Sequence, residues 1–193
     1  MADFLGCLPS RDGDNADYHL DIVFSKAKEL NKDIEVHTDQ QNIPKKKETE
    51  MVCNFVEKYE WQGKTRAIHC INLACHPIDY QIKIAKRLAE LNIGVICCPS
   101  AAIGMTQHSD FHSPIHNSIA PVRMLIDNGV KVSLGIDNVE DVFVLFCDAS
   151  MEFEIRLLSE ACRIYDIDIL TDIITDDMVL ISLLYFSNIF YIF

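Results

Sequence analysis

Apolar residues along this chain alternate between two spacings, two apart over short stretches and three to four apart over longer ones. The first spacing suits a strand with one covered face, the second a helix with one buried stripe. A short strand is predicted from Asp3 to Pro9, ending in Gly6-Cys7-Leu8-Pro9-Ser10 and followed by a polar loop, Arg11 to Asn15. Leu20, Val23, Phe24, Ala27 and Leu30 then keep the spacing of one helical face. Asp33 to Gln40 reads as a strand that breaks into polar residues. Pro44 opens a second helix carrying Met51, Val52, Phe55, Val56 and Tyr59.

The alternation continues with a strand from Lys64 to Leu73, a helix from Pro77 to Leu91 and a strand from Ile93 to Cys98 ending in Pro99-Ser100. After a longer loop, a helix is predicted over about Ile119 to Asn128, closed by Gly129 as the residue past its end. Val130 to Asn138 is a β-branched strand that stops at Gly135, where the backbone is expected to bend and present Asp137 and Asn138. Met151 to Arg163 carries Phe153, Ile155, Leu157, Leu158 and Ala161 as a last helix. Five β-α units in a row predict an α/β fold with a parallel sheet and right-handed crossovers. Periodicity fits a doubly wound sheet and part of an eight-stranded (β/α)8 TIM barrel equally. The strand ends favour the barrel, because His37, His69 and Asp137 each stand at a carboxyl end, where barrels carry their chemistry. Gly6-Cys7-Leu8-Pro9 is not the Gly-rich phosphate turn of a dinucleotide fold.

With 193 residues, 49% of them hydrophobic and 24% charged, the chain has the material for one globular domain with a real core. A net charge of −12 argues against a nucleic-acid partner. The one basic run, Lys45-Lys46-Lys47, is followed by Glu48 and Glu50 and reads as the solvated first turn of a helix. No secretory leader is visible, so the eight cysteines are expected to be reduced thiols in a cytoplasmic protein. Cys70/Cys75 and Cys97/Cys98 lack the spacers of zinc sites, and burial as small hydrophobes is their expected role.

Five segments together carry a family resemblance: Leu5-Gly6-Cys7-Leu8-Pro9, Val36-His37-Thr38-Asp39, Ile68-His69-Cys70, Pro114 to Val122, and Leu134-Gly135-Ile136-Asp137-Asn138 with Asp141-Val142-Phe143. In that order and at those separations the chain resembles the cytosine-deaminase-like branch of the metal-dependent amidohydrolase superfamily, from about Asp3 to Asp176. The resemblance implies the carboxyl-terminal part of a β/α barrel, about its last five units, acting on a C–N bond of a small heterocyclic substrate. It implies His37 and Asp137 as metal ligands, with His69 steadying the developing oxyanion too far away to bind the metal, and Asp137 also shuttling the proton. Zinc or iron suits imidazole and carboxylate donors. Gln40 stands where cytosine deaminases carry the glutamate that acts as general acid and base. Gln40 and Asn138 are the candidates for contact with substrate, and Asn138 alternatively caps the next helix.

The departures set further expectations. Nothing here resembles the His-x-His motif of the family's first strand, so two ligands remain and the metal is expected to be weakly held. An amide at Gln40 cannot pass a proton, which argues against ordinary cytosine deamination. The barrel is expected to occupy residues 1–176, with an off-family apolar tail over residues 177–193, short of the ~20 residues that span a bilayer. Open sheet edges near Asp3 and Val130 predict self-association. Two functions stay open, a deaminase-like hydrolase inactive as this chain alone and a non-catalytic remnant. Each site residue has a plain structural alternative: His37 and His69 as core histidines, and His116-Asn117-Ser118 as a helix cap. His76, His108 and His112 are expected at ordinary surface positions.

Overall fold

The computed structural model describes residues 3–104, 119–142 and 144–175. Five strands form one sheet in the order β1-β2-β3-β4-β5, every neighbouring pair parallel. They are β1 (Phe4–Cys7), β2 (Asp33–Thr38), β3 (Thr65–His69), β4 (Gly94–Cys97) and β5 (Val132–Leu134). Between them run α1 (Ala16–Leu30), α2 (Glu48–Tyr59), α3 (Ile78–Glu90), α4 (Pro99–Gly104) and α5 (Val122–Asp127); α6 (Met151–Cys162) and α7 (Ile167–Thr175) follow. Spatial order equals chain order, so the winding never reverses. A doubly wound sheet needs a reversal to put helices on both faces, and its absence here leaves the arc of a β/α barrel.

The period-2 pattern sorts each strand into two faces. Ile34 and Val36 on β2, Ala67 on β3 and Val95 and Cys97 on β4 point toward the helices, where they join Leu20, Phe24, Val52, Val56, Ile84 and Leu88 in the main core. Phe24 meets both Phe55 and Tyr59 at 5.7 Å between ring centroids, which clamps α1 onto α2. The opposite, inner face holds a smaller apolar cluster of Ile68, Ile96, Cys98 and Ala101. Below it Arg66 lies 3.7 Å from Glu35 and 3.6 Å from Asp33. The sheet therefore has an apolar face under the helices and a mixed inner face that ends in the candidate site.

Several boundaries differ from the sequence reading for identifiable reasons. α2 begins at Glu48, not Pro44; Pro44 and Lys45 form a turn before it, with Lys46 N donating to Ile43 O, and Lys47 stands at the N-cap. β5 is three residues long and the strand read through Asn138 stops at Leu134. Gly135 is not a bend: a Cβ there would lie 2.7 Å from Ile96 Cγ2 and 3.0 Å from Cys98 Sγ, so glycine is required by close packing of β5 on β4. Gly129, at φ 81°, does close its helix as read, its N–H donating to Ile126 O. All eight cysteines are free and six are buried; burial pushes the Cys7, Cys53 and Cys70 thiols up to about 12. No described helix is long and apolar enough to cross a membrane. The segment Pro114 to Ser118, with His108, His112 and His116, and the tail at 177–193 lie outside the described residues.

Candidate metal centre

His37 is the fifth residue of β2 and pairs in register with Ile68, on the inner face. His69 pairs with Thr38, one step further along, where strict alternation would send its side chain toward the helices. Its backbone is left-handed, at φ 74°, and this turns the imidazole inward. Asp137 also sits at positive φ, 71°, two residues beyond the glycine that lets β5 approach β4. Three local devices thus bring the three side chains to one end of one sheet.

There His37 Nδ1 lies 3.2 Å from His69 Nε2, and His69 Nε2 lies 3.4 Å from Asp137 Oδ2. One donor atom from each of the three residues falls within 4.8 Å of the others. Distance therefore does not separate His69 from the ligand set, contrary to the expectation drawn from sequence. Zn–N bonds of 2.0–2.1 Å put neighbouring ligand atoms of a tetrahedron about 3.3 Å apart, and both contacts are close to that spacing. Soft-to-borderline imidazole nitrogens with one carboxylate oxygen form a donor set suited to zinc or iron(II). The residues present fit a divalent ion.

Burial governs the charge of this group. It holds His37 down at about 4 and, together with the neighbouring His37, holds His69 at about 3. Both imidazoles are neutral at pH 7 and offer lone pairs. Burial first, then the charges of Asp141 and Glu154, pushes Asp137 up to about 6. Glu154, on α6, is almost fully buried and accepts a hydrogen bond from Ser100 N at 3.0 Å. Its burial raises its own pKa.

The other two candidates are not in the cluster. Gln40 is half-buried just past the exit of β2. Asn138 donates its amide to Asp141 Oδ2, whose other oxygen accepts from Val144 N, so Asn138 belongs to the loop after β5 and caps no helix among the described residues. His76, expected at the surface, is half-buried with its ring 4.3 Å from that of Tyr80, a packing role. Sequence reasoning passed over Asp39. Its side chain is 1% exposed and accepts hydrogen bonds from Glu48 N, Thr49 N and Thr49 Oγ1. In the sequence it stood as a polar residue directly after a buried strand, closing the segment Val36-His37-Thr38-Asp39, with nothing to give it a role of its own.

Among solved structures, a 5-methylcytosine deaminase from Klebsiella pneumoniae liganded with phosphonocytosine superposes with a TM-score of 0.82 over 91% of this chain and 44% of that one, at 19% identity. This chain has the fold of the cytosine-deaminase-like amidohydrolases. An N-isopropylammelide isopropylaminohydrolase from Burkholderia multivorans gives a TM-score of 0.71 over 89% of this chain and 40% of that one, at 19% identity. An adenosine deaminase from Xanthomonas campestris with bound zinc gives 0.51 over 76% and 30%, at 15% identity. In sequence, an uncharacterized protein of Haemophilus influenzae is 34% identical over 131 residues, 65% of this chain and 46% of that relative. The match thus spans less than half the length of that relative. No family model matches the sequence.

Proposed function

We propose that this chain carries the metal-binding end of a deaminase-like amidohydrolase, and that its reaction is hydrolytic release of an amine from a small nitrogenous heterocycle. The observation that carries this is the convergence of His37, His69 and Asp137 at the carboxyl ends of strands in an amidohydrolase-type arc. In this reading His69 is a third ligand, so the chain offers the three protein donors of a catalytic zinc site with an open position. A divalent ion bound there would supply Lewis acidity and a water acidic enough to attack near neutral pH.

The chain's own groups divide the remaining work. His37 and His69 stay neutral and hold their lone pairs toward one point. Asp137, which burial raises to about 6 in the metal-free chain, would hold the ion through Oδ2, the oxygen facing His69, and can take a proton at Oδ1 and return it. Gln40 can orient a ring nitrogen by hydrogen bonding but cannot transfer a proton, which makes cytosine itself a poor substrate. Asn138 has one amide hydrogen engaged by Asp141, which leaves its second hydrogen and its oxygen for contact with substrate. Gln40 also favours the second reading, a non-catalytic chain that keeps the metal site.

Ammonia or amine release from amino-substituted pyrimidines and triazines, measured on zinc- and iron-loaded protein, separates the two. With His69 as a third donor, the first reading departs from the inactivity expected from sequence for this chain alone: it expects metal-dependent release from at least one ring other than cytosine, reduced about 100-fold or more by Asp137→Asn. Loaded protein that releases nothing from any ring would sink the first reading in favour of the second.

A further inference from the structure

We propose that Asp39 is the positioning residue of this metal site: through a buried clasp it sets the orientation of His37 and His69, without touching either imidazole. The clasp is built from both sides. Asp39 Oδ1 accepts from Glu48 N at 3.0 Å, and Oδ2 accepts from Thr49 N at 2.9 Å and Thr49 Oγ1 at 2.6 Å. In return Glu48 Oε2 accepts from Asp39 N at 2.7 Å. The exit of β2 is thereby fixed to the first turn of α2. The Asp39 carbonyl accepts from Asn72 N at 3.2 Å, and Asn72 Nδ2 donates to Ile43 O and Lys46 O at 2.8 and 2.6 Å. This ties the segment after β3 to the same point. Cys70 N donates to Thr38 O, and Thr38 Oγ1 to Ile68 O, which closes the gap between the two strand ends.

His37 lies two residues before Asp39, and His69 lies between the bonded residues Ile68 and Cys70. Asp39, His69 and Cys70 all hold left-handed backbone, at φ 50°, 74° and 52°. Such backbone is strained for a residue with a Cβ and persists only where its surroundings over-determine it. The inward turn of His69 depends on that conformation, and the clasp supplies the bonds that hold it. A plain helix cap would stabilise α2 and leave the imidazoles indifferent to its loss. The clasp predicts that they respond.

The effect on metal affinity rests on the reading of the site given above; the effect on the imidazoles does not. Imidazole 1H–15N spectra of metal-free protein at neutral pH, with zinc titrations beside them, would compare wild type with Asp39→Asn, Thr49→Val and Thr49→Ser. Asp39→Asn turns an NH2 toward groups that donate, Thr49→Val removes one donor, and Thr49→Ser keeps it. The His37 and His69 signals are expected to move in the first two variants and to stay in the third, with zinc affinity falling about 10- to 100-fold in Asp39→Asn. Far-ultraviolet circular dichroism and Trp61 fluorescence verify the fold, and if Asp39→Asn does not fold, Thr49→Val against Thr49→Ser decides. Folded variants whose imidazole signals superimpose on those of wild type overturn the proposal, as does wild-type zinc affinity in folded Asp39→Asn. Wild-type protein that binds no zinc while its imidazole signals respond as expected supports the clasp and removes the metal reading alone.

Discussion

The left-handed backbone of His69 carries its imidazole to the inner face, with Nε2 3.2 Å from His37 Nδ1. The place of His69 at a strand end was legible, as were those of His37 and Asp137, because polar groups closing apolar runs stand out. Its inward direction was not, since a period of two assigns it the helix side and only a left-handed backbone reverses that. Its closeness to His37 was invisible for the same reason. Two outcomes follow at this scale. Because burial lowers the folded His69 pKa well below its ordinary 6.5, the unfolded chain takes up the proton first as pH falls. Wild-type stability relative to His69→Gln should therefore drop from pH 6.5 toward pH 4, and chemical denaturation of metal-free protein at several pH values reads this out. Gly135→Ala drives a methyl into Ile96 and Cys98 and should cost about 1–3 kcal/mol, seen as a lower denaturant midpoint at unchanged slope.

At the level of elements, helices with a strong stripe were legible and their starts were not. Val52, Phe55 and Val56 on α2 are buried as their spacing required. The helix begins at Glu48 because its first N–H groups are capped by Asp39, nine residues upstream across a turn. No local window contains that cap. β5 ends at Leu134, with the Gly135 N–H still donating to Cys97 O at 2.8 Å, because Asp137 turns at positive φ toward the site, a tertiary demand that the β-branched residues before it conceal. α6 has a local cap instead, with Ser150 Oγ accepting from Phe153 N at 3.2 Å. Ser150→Ala should lower stability by about 1 kcal/mol, measurable by thermal or denaturant unfolding, and should leave zinc affinity unchanged.

Across the whole molecule, the strand order carries the functional reading. An unreversed parallel arc puts every carboxyl end on one rim, so residues 37, 69 and 137 can meet although they are far apart in sequence. The order of β-α units was legible, and the choice between barrel and doubly wound sheet was settled by the unreversed spatial order of the five strands. Metal affinity should follow the rim's electrostatics, weakening as pH falls through about 6, where Asp137 takes up its proton. Calorimetric zinc titration at pH 7.5 of wild type, His37→Ala, His69→Ala and Asp137→Ala tests the three-donor site most directly. One ion per chain is expected, held more tightly than at a two-donor site because His69 adds a donor, and weakened by every one of the three substitutions. Wild-type protein that binds no zinc, or His69→Ala protein that binds it as wild type does, would contradict the three-donor site.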